Sequence, residues 1–278
     1  MRNITTLLML RGQVVHTVIA EALAAAKSGT TIDSAAAKQN VTTIIRREYL
    51  ESYHRLWHID NRPPNRKASE ITNLMEHYYD FANTKERARE AREVAWKSID
   101  NLMASELWGA IVSSDTDTWR AMDEDGFPSF DLDGIKVYAR IDFAYADEEP
   151  TIIDWKTGAP TPEDRWQLTL YALYAQAKWG WDPLATKLTV AYLQPELSVD
   201  AFTPSSEDID ATTELVKHSF NEMLDLEPAY GKADFHDFPM TDNLPTCRWC
   251  RFQGICPGAK RDAAQAAPET EAGPPNVD

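Results

Sequence analysis

The run IIDWKTG (152–158) constrains this chain more than any other segment. Two β-branched residues, an acid, an aromatic and a base predict the end of a buried strand, closed by Thr-Gly. Side chains alternate along a strand, so Asp154 and Lys156 share one face and stand side by side. A second strand-like run, KVYARIDFAYA (136–146), carries Asp142, and DEEP (147–150) supplies a turn between the two. A hairpin would bring Asp142 close to Asp154. Two carboxylates converging on one point can hold Mg²⁺ or Mn²⁺, and a neighbouring lysine suits attack of water on a phosphodiester. Taken alone, D-x-K equally describes a strand-edge salt bridge that contributes little.

Three further features follow the order this chemistry wants. The stretch EDRWQLTLYALYAQAKW (163–179) repeats apolar residues at helical spacing, with Thr161 or Pro162 at its start and Gly180 at its stop. Gln167 and Tyr171, four apart, share a helix face; a solvated glutamine and a core tyrosine are the plainer alternative. The segment RGQVVHTVIAEALAAA (11–26) predicts an amphipathic helix with Gly12 four residues before His16. Glycine is a poor helix former, so its use there predicts close approach of a backbone or of substrate. His16 is either an ordinary helix histidine or, as neutral imidazole, a metal ligand. Near the C-terminus, Cys247, Cys250 and Cys256 are the only cysteines. An odd, tight cluster argues against a disulfide framework and for thiolate ligation of an iron–sulfur cluster or zinc.

These features resemble the RecB-type branch of the PD-(D/E)XK nuclease superfamily, which includes CRISPR-associated RecB-like nucleases and the nuclease domains of recombination helicases. The resemblance covers residues 7–258 and rests on five motifs in order: Gly12 to His16, Asp142, IIDWKTG, Gln167 to Tyr171, and the cysteine triplet. It implies that His16, Asp142 and Asp154 hold Mg²⁺ or Mn²⁺. It implies that Lys156 aligns or activates the attacking water, and that Gln167 and Tyr171 support the site and the substrate backbone. Members with an iron–sulfur cluster usually carry a fourth cysteine ahead of the first helix, and this chain has none. Either a segment precedes residue 1, or the site is completed by another ligand, holds zinc, is incomplete, or holds no metal.

The expected fold is therefore α/β: a restriction-endonuclease-like mixed central sheet flanked by helices, with a C-terminal cysteine cap. One domain over 1–258 divides into a helical part (1–110), a catalytic sheet core (111–203), and a helix with the cap (204–258). The tail 259–278 has a disordered composition. The strand pattern predicts a meander over 116–156, then the 163–179 helix, a strand at 187–193, an edge strand at 198–203 and a helix at 205–226. A long helix is predicted over 83–107. No apolar run is expected to span a membrane, since Arg11 cuts the opening one short, and the cytoplasm is the expected location.

The net charge of −16 is unevenly spread: residues 1–97 carry 15 Lys and Arg against 11 Asp and Glu, leaving the remainder at −20. Long-range attraction to DNA should be weak. Binding would depend on a local basic path, on divalent metal, or on a partner such as a helicase or another recombination, CRISPR or phage protein. Arg46, Arg47, NRPPNRK (61–67) and KERAREAR (85–92) are candidates for that path, and the last also reads as a self-paired solvated face. Trp57, Tyr78 and Tyr79 are either base-stacking or packing residues. The expected function is metal-dependent hydrolysis of DNA, exonuclease-like on ends or single strands. The alternatives are a catalytically impaired DNA-binding or scaffold subunit, and a zinc interaction module built on the cysteines.

Overall fold

The computed structural model describes residues 4–122, 126, 128–225, 241 and 243–256. In chain order these hold β1 (Ile4–Thr5), α1 (Leu7–Lys27), α2 (Ser34–Tyr53), β2 (Asn73–Leu74), α3 (Met75–Tyr78), α4 (Thr84–Met103), α5 (Glu106–Ser113) and β3 (Trp119–Met122). They continue with β4 (Ser129–Leu132), β5 (Ile135–Tyr138), β6 (Phe143–Ala146), β7 (Pro150–Lys156), α6 (Glu163–Trp179), β8 (Lys187–Tyr192), β9 (Ser198–Phe202), α7 (Ser206–Asp225) and α8 (Leu244–Cys247). The expected tail at 259–278 lies outside the described residues. The described residues divide into two compact units, one drawn from 11–45 and 90–225, the other from 4–10, 46–89 and the described residues of 241–256.

The larger unit is built on a mixed sheet of order β3-β6-β7-β8-β9. β7 is antiparallel to β6 and parallel to β8, and β9 returns antiparallel along the edge. The parallel step requires a crossover, and α6 supplies it, packing on β7 and β8 as well as on α7. Its end follows the sequence: Gly180 caps it at φ 72°, a left-handed conformation that suits glycine. Ile152, Leu188 and Val190 form one buried face of the sheet with Leu168, Tyr171 and Ala172 of α6. Helical stretches flank the sheet as expected.

Two expectations about the strands and helices are corrected. KVYARIDFAYA is not one strand, because the chain leaves the ladder between β5 and β6. β5 pairs with β4 in its own two-stranded sheet, extended by Ala139 N–H donating to the Pro128 carbonyl. β6 inserts between β3 and β7 instead, so the strands do not run as one meander. The long helix expected over 83–107 is broken into α4 and α5, because the Ser105 hydroxyl accepts from Trp108 N–H and starts a new helix.

α1 also departs from expectation. By length and composition alone it could cross a membrane, the polar Arg11 notwithstanding, yet 44% of its most apolar stretch is buried within the protein. Val14, Val15, Val18, Ile19, Ala22 and Leu23 form its enclosed face, at the three- and four-residue spacing of a core helix.

In the smaller unit the short β1 and β2 pair in parallel. The α3 carboxylate of Glu76 accepts from Leu7 N–H at 2.9 Å, and Ser52 Oγ accepts from Leu74 N–H at 2.8 Å. His77 Nδ1 meets the same hydroxyl at 2.9 Å. Buried side chains thus close the backbone donors of Leu7, at the start of α1, and of Leu74, in β2.

Candidate active site

The β6–β7 ladder pairs Phe143 with Ile153, so Asp142 sits one step before β6, opposite the end of β7. It lies in a bend rather than in a strand. Its two oxygens are engaged differently: Oδ2 accepts from Trp155 N–H at 2.8 Å, and Oδ1 lies 3.0 Å from His16 Nδ1. The backbone of β7 therefore fixes the orientation of this acid, and α1 closes it from the other side.

One residue along, Asp154 is 2% exposed. Burial, and next the charge of Asp142, push its carboxyl up to about 7, against the opposing pull of Lys156 and His16. Lys156 Nζ stands 3.1 Å from Asp154 Oδ2, close enough for an ion pair. That oxygen nevertheless lacks a hydrogen bond of good geometry. The ammonium instead donates to Gln167 Oε1 at 2.6 Å, and Gln167 Nε2 donates to the Tyr171 hydroxyl at 2.7 Å. The fourfold spacing of Gln167 and Tyr171 is thus used as a relay along one face of α6.

The structure adds three residues that motif reading passed over. Asp164 Oδ1 lies 3.8 Å from Lys156 Nζ, while its Oδ2 accepts from Thr161 N–H and from the Tyr192 hydroxyl, each at 2.8 Å. Burial, followed by this bond to Asp164, raises the Tyr192 phenol. A signal did exist for Tyr192: in the parallel pair it registers with Lys156. Arg11 donates to the Thr157 carbonyl at 3.4 Å, and burial lowers its pKa. At Gly12 a methyl would meet Thr157 Oγ1 at an ordinary 3.5 Å, so among the described residues no backbone makes the expected close approach there.

The donor set can be tested against a divalent ion. A buried carboxylate oxygen without a hydrogen bond, a second carboxylate that raises its proton affinity, and an imidazole on that second acid suit Mg²⁺ or Mn²⁺. These residues fit such an ion. The three do not converge into a ready-made cage, however: among the described residues no three His, Cys, Asp or Glu side chains form a metal-binding group. The two buried carboxylates are engaged separately: Lys156 Nζ faces Asp154, and His16 Nδ1 meets Asp142.

The cysteine expectation fares differently. Cys247, Cys250 and Cys256 are half-buried and form no disulfide, and they do not gather as a metal-binding group. The segment is organised by other contacts: the Tyr79 hydroxyl donates to the Arg251 carbonyl at 2.9 Å and accepts from Gly254 N–H at 3.2 Å. A Cβ at Gly254 would lie 3.1 Å from the Tyr79 ring, so a larger residue there would make that ring give by a few tenths of an ångström. Tyr79 is thus an anchor for this segment, and Trp57 packs on Tyr78 with ring centroids 5.4 Å apart.

Comparison with known proteins gives the same frame. The PD-(D/E)XK nuclease superfamily matches residues 5–257, while no curated protein matches the chain. Nucleases of this superfamily typically use Mg²⁺ or Mn²⁺, and a domain of this kind would act on DNA. The mixed sheet with flanking helices is consistent with its restriction-endonuclease-like fold. The match spans nearly the whole of the described sequence, and the chain belongs to the PD-(D/E)XK nuclease superfamily.

Proposed function

We propose that this protein is a metal-dependent deoxyribonuclease of the RecB-like type, hydrolysing phosphodiester bonds from DNA ends or in single strands. The observation that carries the reading is the buried meeting of Asp142, Asp154 and Lys156 at the end of β7, with His16 on the first acid. His16, Asp142 and Asp154 would hold Mg²⁺ or Mn²⁺. When bound, such an ion supplies Lewis acidity and positive charge at the scissile phosphate.

The chain's own residues do the remaining work. Trp155 N–H fixes the Asp142 carboxylate, so that this acid need not reorganise during turnover. Lys156 holds and orients the attacking water and offsets negative charge as it develops on the phosphate. Gln167 and Tyr171 keep the lysine aimed through their relay. The net charge of −16 disfavours long-range capture of DNA. The reading therefore includes a partner that delivers the strand, a helicase or another recombination, CRISPR or phage protein, and the cytoplasm as the place of action.

The test is incubation with 5′- and 3′-labelled single- and double-stranded DNA in Mg²⁺, Mn²⁺ or EDTA. Metal-dependent shortening from one end is expected. Tight DNA binding without cleavage in either metal would replace the enzyme with a DNA-binding or scaffold subunit.

A further inference from the structure

We propose that Asp164 is a positioning residue for Lys156, with Tyr192 as its anchor; the inference rests on the nuclease reading above. As a first-turn residue reaching back to cap the start of α6, Asp164 would need only to accept from Thr161 N–H. Serine or asparagine at the surface would serve as well, yet this aspartate is 6% exposed. Its capping oxygen takes a second donor, the Tyr192 hydroxyl, from the end of the neighbouring strand. The other oxygen is left facing the lysine ammonium at 3.8 Å.

The elements explain why these groups meet. Tyr192 registers beside Lys156 in the parallel β7–β8 pair, so its ring lies next to the lysine stem. Asp164 and Gln167 are three apart on α6 and share a face. The ammonium is thereby held from three directions, by Asp154 at 3.1 Å, Gln167 at 2.6 Å and Asp164 at 3.8 Å. A lysine stem is long and flexible, so fixing its tip in advance matters for a group that must meet a developing charge. Asp164 thus places a second carboxylate within ion-pair range of the ammonium, beside Asp154.

Asp164→Asn separates the two roles, because its carbonyl oxygen still accepts from Thr161 and Tyr192 while the negative charge is gone. Cleavage kinetics of the full chain with labelled DNA and Mn²⁺ should show kcat lowered about 10- to 100-fold, the scale for supports of catalytic groups. KM for DNA should stay within about twofold, and the thermal midpoint should hold. Tyr192→Phe, which frees the carboxylate from its anchor, should lower kcat in the same direction. The double variant should be no worse than Asp164→Asn alone, as members of one unit are non-additive. A folded Asp164→Asn protein with wild-type kcat, or one altered only in KM, would reduce Asp164 to a cap and overturn the proposal. Should Asp164→Asn fail to fold, Tyr192→Phe decides, and wild-type kcat there is equally fatal. A wild-type protein that cleaves nothing in either metal removes the nuclease reading and this inference together; cleavage by wild type with undisturbed variants removes only the inference.

Discussion

Replacing Asp154 with Asn should make the metal-free protein gain stability relative to wild type as pH rises. The carboxyl of Asp154 is raised from an ordinary 3.8 to about 7, first by burial and then by Asp142. The folded protein therefore binds this proton more tightly than the unfolded chain does. Its contribution is fully present below the unfolded value and is lost as pH climbs through the window from about 4 to about 7. At ~1.4 kcal/mol per pH unit, the passage from about pH 5 to about pH 8 costs wild type up to ~3 kcal/mol. The two acids share this titration with their cationic neighbours, so part of the cost belongs to the site as a unit. Asparagine has nothing to ionise. Urea unfolding of both proteins in EDTA at these two pH values measures the difference. The gap between Asp154→Asn and wild type should move by roughly 2–3 kcal/mol in favour of the variant. Adding Mn²⁺ at the higher pH should then stabilise wild type, by about 2.7 kcal/mol at a hundredfold excess over Kd, and the variant much less. A gap that does not change with pH would refute the reasoning, because it would mean that Asp154 is no harder to ionise in the folded protein than in the unfolded chain.

Lys156→Ala should abolish cleavage of labelled DNA while the circular dichroism spectrum is kept; full activity in a well-purified variant would remove the mechanism. Ser52→Ala should cost about 2–3 kcal/mol in urea unfolding, because it strips the buried Leu74 N–H and His77 Nδ1 of their shared partner. Anaerobic purification should yield substoichiometric iron or none by elemental analysis, since the three cysteines do not gather as a site. A full four-iron, four-sulfide signature would contradict that.

Much of the fold was legible because periodicity and punctuation coincide. The 163–179 stretch is α6 to the residue, since Pro162 and Gly180 mark both ends and the apolar spacing between them is helical. The strand expected at 187–193 is β8, and the helix expected at 205–226 is α7. KVYARIDFAYA failed because alternation fixes faces and not partners. Nothing local distinguishes a run that stays on one ladder from one that pairs first with β4 and then with β7. The site shows the same division. Asp142, Asp154, Lys156, Gln167 and Tyr171 stood in local motifs at readable spacing, and the structure brings them into contact. Asp164 and Tyr192 are 28 residues apart and meet only because a parallel crossover returns the chain beside its start. Gly12 shows the limit from the other side: its low helix propensity suggested close approach of a backbone or of substrate, and no backbone of the described residues lies against it.

β7 has one further consequence, for how this gene can change length. Ile152, Asp154 and Lys156 point to one face of the sheet, and Thr151, Ile153 and Trp155 to the other. Deleting or inserting a single codon between Ile153 and Lys156 would exchange the faces of every side chain beyond it. An indole would enter the polar pocket and a carboxylate would be driven among apolar groups. A change of one residue inside this strand should therefore be lost to selection, whereas the Asp147–Glu149 turn, outside the ladder, can drift by one.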